Sequence, residues 1–287
     1  MTAATIPNPA GTVRTPALPS ALRLGVARTR QELRLFARER DAVFFIFLYP
    51  ILMLAIFATV FGKQNPFSGT GVDVTFAQYF LPGMIATGVM LSSFQSLAIF
   101  IAVERDEGLL KRLRGTPLPA SSYFLGKVGQ VLVTSLVQTG LLLVVAAAMF
   151  HVPMPTDAGR WWTFAWVLVL GTAAGSVCGV AFSSVPRSGK SASAVVTPIV
   201  LVLQFVSGVF FQFDQLPHWM QDVASLFPLK WMAQGMRSVF LPDSAVRFVE
   251  PSGSWQHGAT AAVLAGYLVV GLVLGARTFR WLRRDAG

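Results

Sequence analysis

Apolar residues gather along the chain in six long blocks: Ala42 to Phe61, Phe76 to Val103, Val128 to Phe150, Trp161 to Phe182, Ala194 to Phe213 and Ala259 to Ala276. Each reaches or approaches the roughly 18 to 20 residues that a helix needs to cross the hydrocarbon of a bilayer. The pattern predicts an all-α membrane protein with six transmembrane helices. Ahead of the first block, residues 1–20 are rich in Thr, Pro and Ala, carry no acid, and read as a disordered tail. They lack the apolar core of a signal peptide. Over residues 21–41, Leu22, Val26, Leu33 and Phe36 share one helical face beside Arg23, Arg30, Arg34 and Arg38, which predicts an N-terminal amphipathic interfacial helix. A plain basic anchor that only sets orientation accounts for the same residues.

Two polar stretches keep helical spacing of their own. Between the fifth and sixth blocks, Leu216, Trp219, Met220, Val223 and Phe227 recur at helical intervals, and after Pro228 the pattern restarts with Trp231, Met232, Met236, Val239 and Phe240. Two short amphipathic helices are expected over 214–241, dipping into the outer leaflet, because Trp and Met on one face favour the interface. Between the second and third blocks, Glu104 to Lys127 sets Leu109, Leu110 and Leu113 on one side of a short helix and Arg105, Lys111, Arg112 and Arg114 on the others, with Thr116-Pro117 ending it. So short a helix needs a surface to pack on, in this protein or another. It is either a docking element or a solvated loop whose charges fix topology.

Composition agrees with a polytopic membrane protein: of 287 residues, 54% are hydrophobic and 13% charged, with a mean hydropathy of +0.60. The net charge of +10 does not indicate nucleic acid, because the basic residues sit beside apolar blocks. Eighteen of the 23 Lys and Arg fall in alternate segments, namely the N-terminal stretch, 104–127, 183–193 and the C-terminal stretch, while the acids divide almost evenly. A bias carried by the bases alone is the positive-inside pattern and predicts that both termini are cytoplasmic. The single cysteine, Cys178, excludes an intrachain disulfide framework.

Candidate chemistry is sparse. Ser188-Gly189-Lys190-Ser191 ends like a phosphate loop, but Ser184 stands where the first glycine belongs and the segment joins two spans, so it is read as a decoy. His151, His218 and His257 have no partner spacing for a metal or a catalytic site, and no Asp or Glu lies within a block, as an ion-driven carrier normally requires. The polar residues within blocks are uncharged; Ser92, Ser93, Gln95, Gln138 and Gln204 either line a substrate path or bond helix to helix. Gly171, Gly175 and Gly179, and Gly271 with Gly275, predict close helix contacts, and Pro50, Pro82 and Pro198 predict kinks that serve motion or packing.

The run Glu104, Gly108, Leu110, Leu113, Thr116 and Pro117, with Gly126 and Lys127 after it, resembles the cytoplasmic loop of type-2 ABC exporter permeases, the drug-resistance and polysaccharide-export class. Ser207-Gly208-Val209-Phe210, Leu216-Pro217 with Trp219, Pro228-Leu229 and Arg237 resemble the extracellular re-entrant helices of the same family. The resemblance implies a six-span permease domain over 42–287 and a coupling helix over 104–118 that fits a cleft in an ATPase subunit. The six residues from Glu104 to Pro117 would then be the coupling residues. Leu216, Pro217, Trp219, Pro228 and Trp231 would close the external end. Implied partners are cytoplasmic ABC ATPase subunits, a second permease chain in a homodimer or heterodimer, and membrane lipids, at the bacterial plasma (inner) membrane.

No cofactor is expected in this chain, and ATP and Mg belong to the partner ATPase. The implied activity is export of an amphipathic drug-like, lipid or lipid-linked substrate. Leu109 and Lys111 depart from the family pattern, where Thr and an acid are frequent, and that bears on which ATPase fits. An ion-coupled secondary transporter and a non-transporting anchor subunit are the alternatives.

The six-span plan is checked by labelling. On a chain with Cys178→Ala, an impermeant thiol reagent should reach single cysteines at Ser68, Thr156 and Ser244 in intact cells, and not at Ser121 or Ser188; reaction at Ser188 would refute the topology.

Overall fold

Helix starts are encoded locally. In the computed structural model, which describes residues 20–62, 64–116 and 119–279, Ser20, Thr75 and Asp157 each accept a backbone N–H from the first turn of the helix that follows. Ser188 and Ser191 close a reciprocal capping box, and Pro228 opens its helix at the first position. The elements are α1 (Ala21–Arg38), α2 (Arg40–Val60), α3 (Phe76–Met90), α4 (Ser96–Asp106), α5 (Leu109–Arg114), α6 (Ala120–Phe150), α7 (Ala158–Phe182), α8 (Gly189–Val206), α9 (His218–Ser225), α10 (Pro228–Phe240), α11 (Val246–Val249) and α12 (His257–Thr278). There is no strand among the described residues. The tail expected over residues 1–20, apart from Ser20, and Pro117 with Leu118 lie outside them.

Among the described residues, six helices are long and apolar enough to cross a membrane, one for each predicted block. Their ends differ from the blocks. The second runs on to Asp106 and the third begins at Ser121, so Glu104 and Lys127 stand within continuous helix where hydropathy alone stopped at Val103 and Val128. The fifth ends at Val206, short of Phe213, because the chain turns at Gly208 with φ of +71°.

The centre of the bundle is α3 and α4, joined through one π-turn at Leu91–Gln95 and packed against α2, α6, α7, α8 and α10. The irregularity falls at serines, away from Pro82. Ser92 and Ser93 bond back to carbonyls one turn earlier, and Ser96 to that of Ser92, taking up acceptors that the widened turn loosens. The glycine stripe of α7 packs on this turn: Gly175 lies against Ser93, Gly179 against the Phe94 backbone and Gly171 against Met232 of α10. These contacts are internal to the bundle. Gly271 brings α12 onto Val177 of α7 in the same way.

The α1 helix crosses the first turns of α6 at two glycines. A Cβ at Gly126 would collide with the side chain and backbone of Arg28, and one at Gly129 with Thr29. Replacing Gly126 by Val should therefore displace α1 and cost about 1–3 kcal/mol. The measurement is the unfolding midpoint in detergent together with tryptic cleavage at Arg30 and Arg34. Gly140→Val, whose Cβ meets nothing within 4 Å, is the control.

Candidate functional site

Two buried ionic clusters mark the two ends of the bundle. At one end, Glu104 from the last turns of α4 reaches Lys127 of α6 at 2.5 Å and accepts the Tyr123 hydroxyl at 2.7 Å. Lys127 also meets Glu32 of α1 at 2.7 Å, and Glu32 in turn pairs with Arg28 at 2.5 Å. The Lys127 and Arg28 charges flank the ring of Tyr123, which has no exposed surface. Two carboxylates thus balance two cations, all but Glu104 almost wholly out of water. Breaking one member leaves an uncompensated charge.

The same end organises the loops. Arg105 donates to the carbonyl and the hydroxyl of Ser183, and the Gly189 N–H donates to Asp106, so the turn between α7 and α8 is tied to the end of α4. Ser188-Gly189-Lys190-Ser191 is the capped start of α8, with Gly189 against the backbone of Val103 and Lys190 exposed. Its likeness to a phosphate loop comes from the capping serines. Gly108 breaks the helix with φ of +75°, and α5 follows.

Within α5, Leu110 is fully buried beside Leu97, Ile101, Tyr123, Val131 and Val180, so its packing partner is this protein's own core. Leu113 is half-buried, while Lys111, Arg112, Arg114 and Thr116 are exposed.

At the opposite end, α10 is buried among α3, α7 and α12, and its stripe of Met232, Met236, Val239 and Phe240 meets protein. It carries Lys230 and Arg237 inward. Both meet Glu250, at 3.3 and 3.4 Å, and all three are almost wholly buried. Arg237 also donates to the Gly208 carbonyl, and Lys230 donates to Gln234 and lies over the Trp231 ring. Burial pushes the Glu250 carboxyl above its usual range against the pull of Lys230 and Arg237, and pushes the Lys230 ammonium below its usual value despite Glu250.

The other residues expected at this end are placed differently from one another. Trp219 and Val223 of α9 face outward, Pro217 caps α9 and Pro228 begins α10, Leu216 accepts from Gln221, and the Trp231 indole donates to the Ser225 carbonyl.

Between the ends, a cavity of about 430 Å³ lies among α2, the π-turn, α4 and α8. Its walls are apolar, with Tyr49, Gln95, Ser96, Thr197 and Gln204 supplying polarity and Asp41 standing at one rim. Tyr49 donates to Gln204 at 2.8 Å. Of the five polar residues singled out within spans, Gln95 and Gln204 line this cavity. The others do not. Ser92 bonds Ser135 of α6, Ser93 lies under Gly175, and Gln138 packs on Gly88, all between tightly apposed helices. Among the described residues no group of His, Cys, Asp or Glu could hold a metal.

Residues 25–241 match the model of the ABC-2 type transporter family. The chain belongs to that family. As an ABC-2 member it is the transmembrane subunit of an ABC transporter. Similar proteins include the inner membrane transport permease YadH of Escherichia coli K12, 25% identical over 206 residues that cover 71% of this chain and 78% of that one. The probable multidrug ABC transporter permease YbhR of the same strain is 20% identical over 62% of this chain and 47% of its own length. The putative transport permease ycf38 of Cyanophora paradoxa is 23% identical over 69% of this chain and 67% of its own. The match to the ABC-2 family spans both α5 and α10, the segments next to the two ionic clusters.

Sequence reasoning missed Glu32, Lys230 and Glu250, because a basic or acidic residue outside a span reads as solvated until its partner is located. Glu250→Gln should lower stability by about 3–5 kcal/mol, since Lys230 and Arg237 then stay buried without a counter-charge. Adding Lys230→Met should restore part of the loss. Denaturant unfolding of the three proteins in one detergent checks both.

Proposed function

We propose that the chain is the permease of an ATP-driven exporter, powered by a separate cytoplasmic ATPase that holds ATP and Mg and docks at the α5 end. The observation that carries this reading is α5 itself: a short helix outside the spans, joined to the central α3–α4 helix through Gly108, with an outward face of Lys111, Arg112 and Arg114. Force applied there passes into α4 through the covalent chain and into α6 and α1 through Glu104, Lys127 and Glu32. On this reading Leu113 and the basic face contact the ATPase. Glu104 and Leu110 transmit force from within the permease, and Gly108 supplies the bend between α4 and α5.

The cavity bounded by Gln95 and Gln204 is the proposed substrate path. Its apolar walls suit an amphipathic drug-like, lipid or lipid-linked molecule, and a second permease chain, identical or related, would complete the path. The α9–α10 end would close the exterior. The name of one relative, an inner membrane transport permease, supports a bacterial inner membrane location, and the positive-inside bias alone favours both termini in the cytoplasm.

Lys111→Glu with Arg112→Glu should reduce recovery of the ATPase in co-purification by about tenfold or more, since each reversal replaces an attraction of roughly 1 kcal/mol with a repulsion. Leu110→Asp should instead lower permease yield, because that side chain is in the core. Glu104→Gln should retain the ATPase and its hydrolysis with reduced export in proteoliposomes. Flux that persists without ATP would mark an ion-coupled carrier. Stimulated hydrolysis without any flux would mark an anchor.

A further inference from the structure

The α1 helix has three faces, and only one of them meets protein. At 100° per residue, Gly25, Arg28, Glu32 and Phe36 fall within roughly 80° of arc, and these are the residues packed on α4 and α6. Next round the helix come Leu22, Leu33 and Val26; Leu22 and Val26 are 70% and 66% exposed. Beyond them Arg30, Arg23, Arg34 and Arg38 occupy another sector of roughly 80°. All four are exposed, and none is ion-paired among the described residues. The apolar stripe of α1 is thus turned away from the bundle, with a block of arginines along its far edge.

The height of this surface is fixed. Glu32 is pinned to Lys127 and Glu104, where the second apolar block ends and the third begins, and only Glu39 separates α1 from the first spanning helix. An apolar stripe at that level faces acyl chains. Arginines beside it face the phosphate layer, where Lys and Arg are attracted to anionic headgroups. We infer that α1 is a binding surface for the anionic phospholipids of the leaflet at the Glu104 end, with Leu22, Val26 and Leu33 inserted and the four arginines selecting the headgroup charge. Lipid seated there braces α1 from the side opposite the Arg28–Glu32–Lys127–Glu104 cluster. The inference rests on the membrane setting and holds whatever the substrate is.

The test measures which lipid stands next to α1. On the full chain with Cys178→Ala, a fluorophore is attached at Val26→Cys, or as a control at lipid-facing Val144→Cys on α6, and the protein is reconstituted in phosphatidylcholine. Acyl-brominated phosphatidylglycerol or acyl-brominated phosphatidylcholine is then added at equal mole fraction. At position 26 the phosphatidylglycerol should quench severalfold more, and at position 144 the two should quench alike. Arg30→Gln with Arg34→Gln should bring the two lipids close to equal quenching at position 26, since each arginine accounts for about a fivefold change in headgroup affinity, whereas Lys111→Gln with Arg112→Gln on α5 should leave the preference unchanged.

Equal quenching by the two lipids at position 26, or quenching by neither, overturns the inference, as does a preference that survives loss of the arginines. Equal quenching combined with loss of ATPase co-purification in the Arg30→Gln, Arg34→Gln protein assigns the sector to the protein partner and overturns it too.

Discussion

Lys127 carries its charge into a site that is almost sealed from water, at the level where the apolar part of α6 begins. An ammonium in that position is tolerated only with counter-charges at contact distance, and the chain supplies two, Glu32 from α1 and Glu104 from α4. Three helices, one of them distant in sequence from the other two, are thereby fixed to one point. Much of the local architecture follows from this. Gly126 and Gly129 let α1 approach closely enough for Glu32 to reach, Tyr123 fills the space between the charges, and α4 is held in register up to the bend at Gly108.

The opposite end solves the same problem with the signs reversed: a single carboxylate, Glu250, serves two cations of α10. Buried ion pairs of this kind contribute less to net stability than well-packed apolar groups would, and their effect is on which arrangement forms. Here they fix the two segments that no run of apolar residues could position, α1 at one end and α10 at the other. Between them the helices are held by small residues in close contact, as expected where lipid removes the hydrophobic drive for helix association.

The six spans were legible because crossing hydrocarbon imposes a length on each apolar block, and the glycine stripe of α7 was legible as a close helix contact. Span ends were not. Hydropathy stops at the first charge, whereas α4 continues through Glu104 and α6 starts before Lys127, since each charge is neutralised by the other. The orientation of α5 was equally hidden: with Leu109, Leu110 and Leu113 on six residues, the sequence permits a patch facing either a partner or the core, and Leu110 takes the core. Glu250 lies 20 residues from Lys230, so no helical periodicity links them. The π-turn had a visible signal in Ser92, Ser93 and Ser96, whose hydroxyls satisfy the carbonyls around it.

The burial of the α3–α4 helix has a consequence for how the sequence can drift. In its apolar window 83% of residues are buried, against 22% in α2 and in α12. A substitution on α12 therefore meets mostly acyl chains, which adapt to any apolar shape. One on α3 meets α2, α6, α7 and α10 at once and needs a matching change in each. Divergence should accumulate on the outer helices and spare the inner one, so that distant members keep the central rod while trading its surroundings to suit different membranes and cargoes.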